Sequence, residues 1–134
     1  MIADLLEAMG YFVVWIAPPE KDHGQIDMVA YADPLGVKGS RILIQVKHKG
    51  QALTLEGLKS FLSVLSTNDY GVLISSGGFT YEVAEEIRNE ALQRTTLLDL
   101  ENFFDLWVKY YEELSQEAKN RFPLKKIYFL HGIE

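Results

Sequence analysis

Three observations predict an α/β fold for this 134-residue chain, with a mixed β-sheet flanked by helices. Apolar residues recur at helical spacing in four separate stretches. Apolar runs of strand length fall between them. The order of the two kinds changes midway. Three strands follow one another in the first half, which implies an antiparallel meander. In the second half strands alternate with helices, which implies parallel crossovers.

The elements read off in turn. Ile2, Leu5, Leu6 and Met9 share one face of an opening helix that Gly10 stops. "YFVVWIA" is a strand ended by Pro18 and Pro19. Residues 25–32 and 41–48 form an antiparallel hairpin around the turn chemistry of "DPLGVKG". Leu55, Leu58, Leu62 and Leu65 stripe a second helix with Thr54 as its N-cap. "YGVLIS" is a buried strand with a tight exit at "SGG", and Thr80 caps a third helix striped by Val83, Ile87 and Ala91. "TTLLDL" is the last strand of the alternating half. Phe103, Leu106, Trp107, Tyr110, Tyr111 and Leu114 then stripe a long helix, where the aromatic residues pack a core or a dimer contact. "SQEAKNRF" is a short capped helix and "KKIYFL" a final extended piece. One domain is expected over 1–134, with its core at about 1–99 and a C-terminal extension at about 100–134. The chain opens inside a helix with no capping residue ahead of it, so a fragment of a longer protein is expected.

Composition narrows the function classes. With no cysteine, disulfide scaffolds and thiolate metal sites are excluded. No apolar run reaches the roughly 20 residues of a membrane span, and no secretory leader pattern is present. A cytoplasmic protein without a membrane partner is expected. The net charge of −6 argues against a chain that binds nucleic acid through charge alone. Its distribution says more. Residues 1–60 carry 6 Lys and Arg against 7 acids, and residues 61–134 carry 7 against 12. Between Asp33 and Glu56 there is no acid, while Lys38, Arg41, Lys47 and Lys49 all fall there.

That basic window contains "IQVK". Side chains alternate along a strand, so Gln45 and Lys47 share a face. Asp27 stands near the start of the partner strand. Taken alone, Asp27 reads equally well as a solvated acid beside a turn, and Lys47 as an ordinary edge-strand charge. Together they have the composition of a metal-dependent phosphodiesterase. Mg²⁺ is held by one or two carboxylates, waters and the substrate phosphate. Asp27 can supply the charge, with the Gln45 side-chain oxygen and the Val46 backbone carbonyl as neutral ligands. Lys47 would then orient the attacking water or stabilise charge growing on the phosphate.

"DHGQIDMVAYADPLG" followed by "IQVKHKG" resembles the Mrr-like type IV restriction endonucleases, a Gln-x-Lys branch of the PD-(D/E)xK nuclease superfamily. The likeness continues through "GVLISSGGFT" and the stretch from "TTLLDL" to "KKIYFL", so it covers nearly the whole chain. The resemblance implies a restriction-endonuclease-like three-layer core, αβββαβ, with an added C-terminal αβ/αα segment. It also implies DNA as the partner, phosphodiester hydrolysis, and Mg²⁺ with Mn²⁺ as a substitute. By position it makes Asp27 the metal-binding acid, Gln45 the third motif residue and Lys47 the catalytic lysine. The family's usual first-helix Glu would fall before Met1, which leaves Asp4 as a stand-in. Asp22 and His23 are further accessory candidates. Lys38, Arg41, His48, Lys49, Lys59, Ser75 and Ser76 are candidate contacts to the DNA backbone, each of which also reads as an ordinary surface or turn residue.

The expected function is the catalytic part of a restriction or DNA-defence protein, with DNA recognition supplied by upstream sequence. Cutting both strands of a duplex would need two sites, so a homodimer is expected. The alternative is a catalytically inactive nuclease-fold module that binds nucleic acid or a protein partner. A junction-resolving or repair nuclease on the same fold would differ only in substrate shape.

Overall fold

A computed structural model describes residues 1–18, 26–36, 39–47, 50–88, 94–125 and 127. The chain runs α1 (Ile2–Ala8), β1 (Phe12–Ile16), β2 (Met28–Tyr31), β3 (Arg41–Lys47), α2 (Leu55–Ser63), β4 (Tyr70–Ser75), α3 (Tyr81–Ile87), β5 (Thr95–Asp99), α4 (Leu100–Lys109), a 3-10 turn (Tyr111–Glu113) and α5 (Gln116–Arg121). The five strands form one sheet in sequence order. β1, β2 and β3 pair antiparallel, whereas β3–β4 and β4–β5 pair parallel. The fold is therefore the mixed α/β sheet expected from the sequence. Of "KKIYFL" only Lys125 and Ile127 are described, neither in a strand, and the other four residues lie outside the described residues.

Local chemistry sets the element ends. Gly10 at φ 96° closes α1, with Tyr11 N–H donating to the Leu6 carbonyl and Gly10 N–H to that of Glu7. This is the doubly bonded helix exit that glycine favours. The Thr54 hydroxyl accepts from Gly57 N–H at the start of α2, and the Ser115 hydroxyl from Ala118 N–H at the start of α5. Thr80 stands at the N-cap of α3, but its hydroxyl makes no cap bond and is buried without a partner among the described residues. The most complete cap stands at the start of α4, with both halves of a capping box present. Asp99 ends β5 and opens α4 at once, accepting from Asn102 N–H at 2.8 Å while the Asn102 side chain reaches back to the Asp99 N–H.

Strand alternation then builds three layers. On one face Ala30, Ile44 and Ile74 pack with Ile2 and Leu6 of α1. α1 is itself held by Leu5 against Phe103, Trp107, Leu114 and Ala118, so α1, α4 and α5 form one layer. On the other face Leu73 packs with Leu58 and Phe61 of α2 and Val83 of α3. Phe103 and Trp107 belong to the core, as their helical spacing implied. Phe104, one residue on, is 42% exposed.

An ion pair with a buried acid ties the start of β3 to the loop before β4. Asp69 is 6% exposed and takes two hydrogen bonds from Arg41, at 2.8 and 3.2 Å, and one from Ser66 N–H at 2.8 Å. The Arg41 guanidinium holds the Asp69 carboxyl below the usual carboxylate range, assisted by the Ser66 amide and opposed by burial. A depressed acid stabilises the fold above its unfolded pKa of about 4, and that contribution is lost as pH falls through the folded value. Asp69→Asn should therefore cost about 1–2 kcal/mol at neutral pH, a range already reduced because Arg41 is partly exposed. The difference from the parent should shrink as pH drops below about 4. Melting curves of both proteins across this window check it, and a gap that stays constant down to pH 3 would contradict it.

Candidate active site

The "IQVK" stretch occupies the C-terminal half of β3, near the centre of the sheet. Gln45 is in register with Leu73 of β4, and register partners share a face. Because Leu73 belongs to the α2/α3 core, Gln45 points into that layer. Gln45 is 4% exposed, one of few polar side chains buried among the described residues. Lys47, two residues on, is half-buried at the strand's end. A buried amide followed by a lysine at the rim is not a solvated sheet face.

Asp27 precedes β2 by one residue and is carried to this point by strand pairing. Its N–H donates to the Ile44 carbonyl at 2.8 Å, and its own carbonyl accepts from Ala17 N–H at 2.8 Å. The carboxylate then reaches β3. Asp27 Oδ2 accepts from the Val46 backbone N–H at 2.7 Å. Val46 is the residue between Gln45 and Lys47, so the acid rests against the backbone of the motif itself. The N–H and C=O of a strand residue point to the same edge, which turns the Val46 carbonyl toward the Asp27 side as well.

Two loops support the rim. Ser76 N–H and its hydroxyl both donate to the Lys47 carbonyl, at 3.1 and 3.3 Å. Leu53 N–H donates to the Gly78 carbonyl and Thr80 N–H to the Leu53 carbonyl, joining the β4–α3 loop to the segment before α2. Gly77 permits this approach, since a Cβ there would meet the Gln51 carbonyl oxygen at 2.2 Å. "SSGGFT" is accordingly a tight β-to-α connection that braces the end of β3.

The other sequence candidates fall elsewhere. Ser75 is the register partner of Lys47 but is fully buried, so it does not present a hydroxyl to DNA. Ser76 is exposed, with its hydroxyl bonded to the Lys47 carbonyl. Arg41 is engaged by Asp69, and six residues of β3 place it about 20 Å from Lys47. It therefore acts as a structural cation rather than as a neighbour of the motif. Asp4 pairs with Arg121 of α5 at 2.5 Å and with the Met1 amino group at 3.4 Å, which takes it away from the stand-in role. Lys59 is exposed on α2 beside Glu56. Asp22, His23, Lys38, His48 and Lys49 lie outside the described residues.

The oxygen groups that Asp27 and Val46 bring together suit a hard cation in kind: one carboxylate and one backbone carbonyl. They bring a single negative charge. Among the described residues no group of three or more His, Cys, Asp or Glu could hold a metal. The next acid along the strand ends, Asp99, is in register with Ser75 and so lies two strand spacings, about 10 Å, from Lys47. Its carboxylate is occupied by the α4 cap. Such a set fits Mg²⁺ that keeps waters and takes phosphate as a ligand, not an ion caged by protein alone.

The sequence profile of the Mrr catalytic domain, described as a restriction endonuclease, matches residues 1–107. The chain belongs to this family. The match spans the sheet, α1 to α3 and most of α4, and so contains both Asp27 and the "QVK" strand. Among solved structures, the Mrr-family chain is similar to the MspJI restriction endonuclease in complex with a 27-mer oligonucleotide. The TM-score is 0.61 at 15% identity, over 87% of this chain and 27% of that one. At this identity the likeness concerns the fold, and the chain spans only about a quarter of that enzyme. A repair endonuclease from Pyrococcus abyssi overlaps more loosely, with TM-score 0.45 and 16% identity over 74% of this chain and 45% of its own. No curated protein matches the chain significantly. No helix among the described residues is long and apolar enough to cross a membrane.

Proposed function

We propose that this Mrr-family domain hydrolyses phosphodiester bonds in DNA with a divalent cation, Mg²⁺ or Mn²⁺, and that Asp27, Gln45, Val46 and Lys47 carry the reaction. The observation that supports this most is the 2.7 Å hydrogen bond from Val46 N–H to Asp27 Oδ2, because it brings the acid and the Gln-x-Lys strand to one place.

In this reading Asp27 Oδ1, the Val46 carbonyl and the Gln45 amide oxygen would hold the cation. When bound, the cation lowers the pKa of water and draws charge from the phosphate. Asp27 is fixed by the β3 backbone, so it keeps its position while charge builds at phosphorus. Gln45 adds an oxygen dipole without a second charge, and burial by α2 and α3 limits its rotamers. Lys47 projects from the rim, where its ammonium can hold a nonbridging phosphate oxygen and orient the attacking water. Ser76 fixes the Lys47 carbonyl, and with it the direction of the side chain. DNA is the substrate this reading assigns, the remaining DNA recognition coming from sequence outside this domain.

With one carboxylate among the described residues, cation affinity is expected to depend on the DNA phosphate. The single carboxylate and the Asp4–Arg121 pair also favour a second reading, a nuclease-fold module that binds DNA or a protein without cutting. Incubating supercoiled plasmid, unmodified and methylated, with the purified chain decides between them. Nicked circles that require Mg²⁺ or Mn²⁺ and vanish with a chelator are expected. Retention of plasmid on the protein with no nicking in either metal would favour the second reading.

A further inference from the structure

Beneath the rim of β3 lies a polar atom that the fold does not use. Ser75 ends β4, is 0% exposed, and its hydroxyl has no hydrogen-bond partner among the described residues. Buried hydroxyls are ordinarily paired, because leaving one unpaired costs the full desolvation of the group. An alanine would fill this position without that cost.

The register of the sheet says what the hydroxyl faces. Ser75 pairs with Lys47 on one side and with Asp99 on the other. Asp99 turns its carboxylate to the α4 cap, at Asn102 N–H. Lys47 remains. Register partners on neighbouring strands share a face and stand about 5 Å apart at the backbone. Leu73, two residues before Ser75, packs in the α2/α3 core, so the hydroxyl and the lysine stem rise side by side on that face. The Lys47 side chain makes no hydrogen bond or ion pair among the described residues. Two groups in need of a partner thus stand next to each other at the end of the motif strand.

We propose that Ser75 is a positioning residue for Lys47, its hydroxyl accepting a hydrogen bond from the ammonium. The role of the bond in cleavage rests on the reading of Lys47 given above. A serine hydroxyl has two acceptor lone pairs, and lysine has three donors on a flexible four-carbon stem, so rotation of that stem joins them. Ser76 already holds the Lys47 backbone through its carbonyl. Ser75 would hold the other end of the residue, keeping the ammonium in one place above the rim. The rival arrangement is purely structural. Another buried hydroxyl without a partner among the described residues, that of Thr80, stands five residues on at the N-cap of α3. In that arrangement the two hydroxyls share a buried water and serve the fold alone.

Ser75→Ala separates the two. It removes the hydroxyl together with its desolvation cost, so the melting temperature should change little. Plasmid cleavage in Mg²⁺ should show kcat lower by about 10-fold or more, with KM for DNA unchanged. Ser75→Thr should restore most of the rate, and Ser75→Ala should add nothing to the loss in Lys47→Ala. The contact itself is read without DNA or cleavage. In a proton–nitrogen correlation spectrum, the Lys47 ammonium signal, identified by its absence in Lys47→Ala, should be protected from exchange in the parent and lost in Ser75→Ala. A parent that cuts no DNA would overturn the catalytic reading of Lys47 and still leave this signal to decide the contact. An ammonium signal indifferent to Ser75→Ala, or losses of rate that simply add in the double variant, would overturn the inference. A lower melting temperature with cleavage at the parent rate would also overturn it, and would assign the hydroxyl to the buried water.

Discussion

Asp27→Ala is expected to lower metal-dependent cleavage by at least about 10²-fold, the usual cost of removing a group that stabilises charge in the transition state. Two losses combine in this variant. The proposed cation site loses its one described carboxylate, and Val46 N–H loses the acceptor at 2.7 Å that anchors the start of β2 to β3. The second loss costs about 1–3 kcal/mol of stability if the amide is left unpaired. Asp27→Asn separates the two. The amide oxygen can still accept from Val46, so melting should move little, while the missing charge should leave cleavage as low as in Asp27→Ala. Single-turnover rates and melting curves of both variants check this. An Asp27→Asn protein that cuts at the parent rate would show that the carboxylate has only a structural role.

Trp107→Ala is the substitution expected to harm the fold most. Trp107 is fully buried, lies with its ring tilted 32° from that of Phe103 at 6.1 Å, and meets Phe122 edge-on at 6.1 Å. Its indole N–H donates to the Phe122 carbonyl at 3.1 Å, which fastens the segment after α5 to α4. Alanine there would leave a cavity in the layer that holds α1, and large-to-small aromatic substitutions cost about 3–5 kcal/mol. A domain this size has about 5–15 kcal/mol of stability in all. Urea unfolding should show a much lower midpoint than Trp107→Phe, which keeps the ring packing. A loss below 1 kcal/mol would mean that α4 and α5 are not part of the cooperative unit.

Element type and order were legible because the chain alternates two periodicities without ambiguity. Ile2, Leu5, Leu6 and Met9 admit only a helix, and "YGVLIS" is too short and apolar for one. The mixed topology followed from where helices begin to separate strands. The adjacency of Asp27 to "QVK" was legible once the hairpin was placed, since its register brings Met28 opposite Ile44. Less legible was everything decided by long-range side-chain pairing. Arg41 and Asp69 are 28 residues apart, and nothing local distinguishes that arginine from a phosphate-binding one. Asp4 found Arg121 across 117 residues for the same reason. Ser75 and Ser76 are identical neighbours in sequence, yet strand alternation buries one and exposes the other. Asp99 carried a visible signal, an acid three residues before Asn102 at a strand-to-helix junction, but the apolar run "TTLLDL" directed the reading to the strand.

Plasmid cleavage by the parent and by Lys47→Ala, compared at equal concentration in Mg²⁺, tests the central claim most directly. Lys47 sits half-buried at the rim and is no part of any described apolar core cluster, so the variant should fold as the parent does. A parent that nicks DNA and a Lys47→Ala protein slower by about 10²-fold or more are the predicted results. Equal cleavage by the two would contradict the assignment of the "QVK" strand to catalysis.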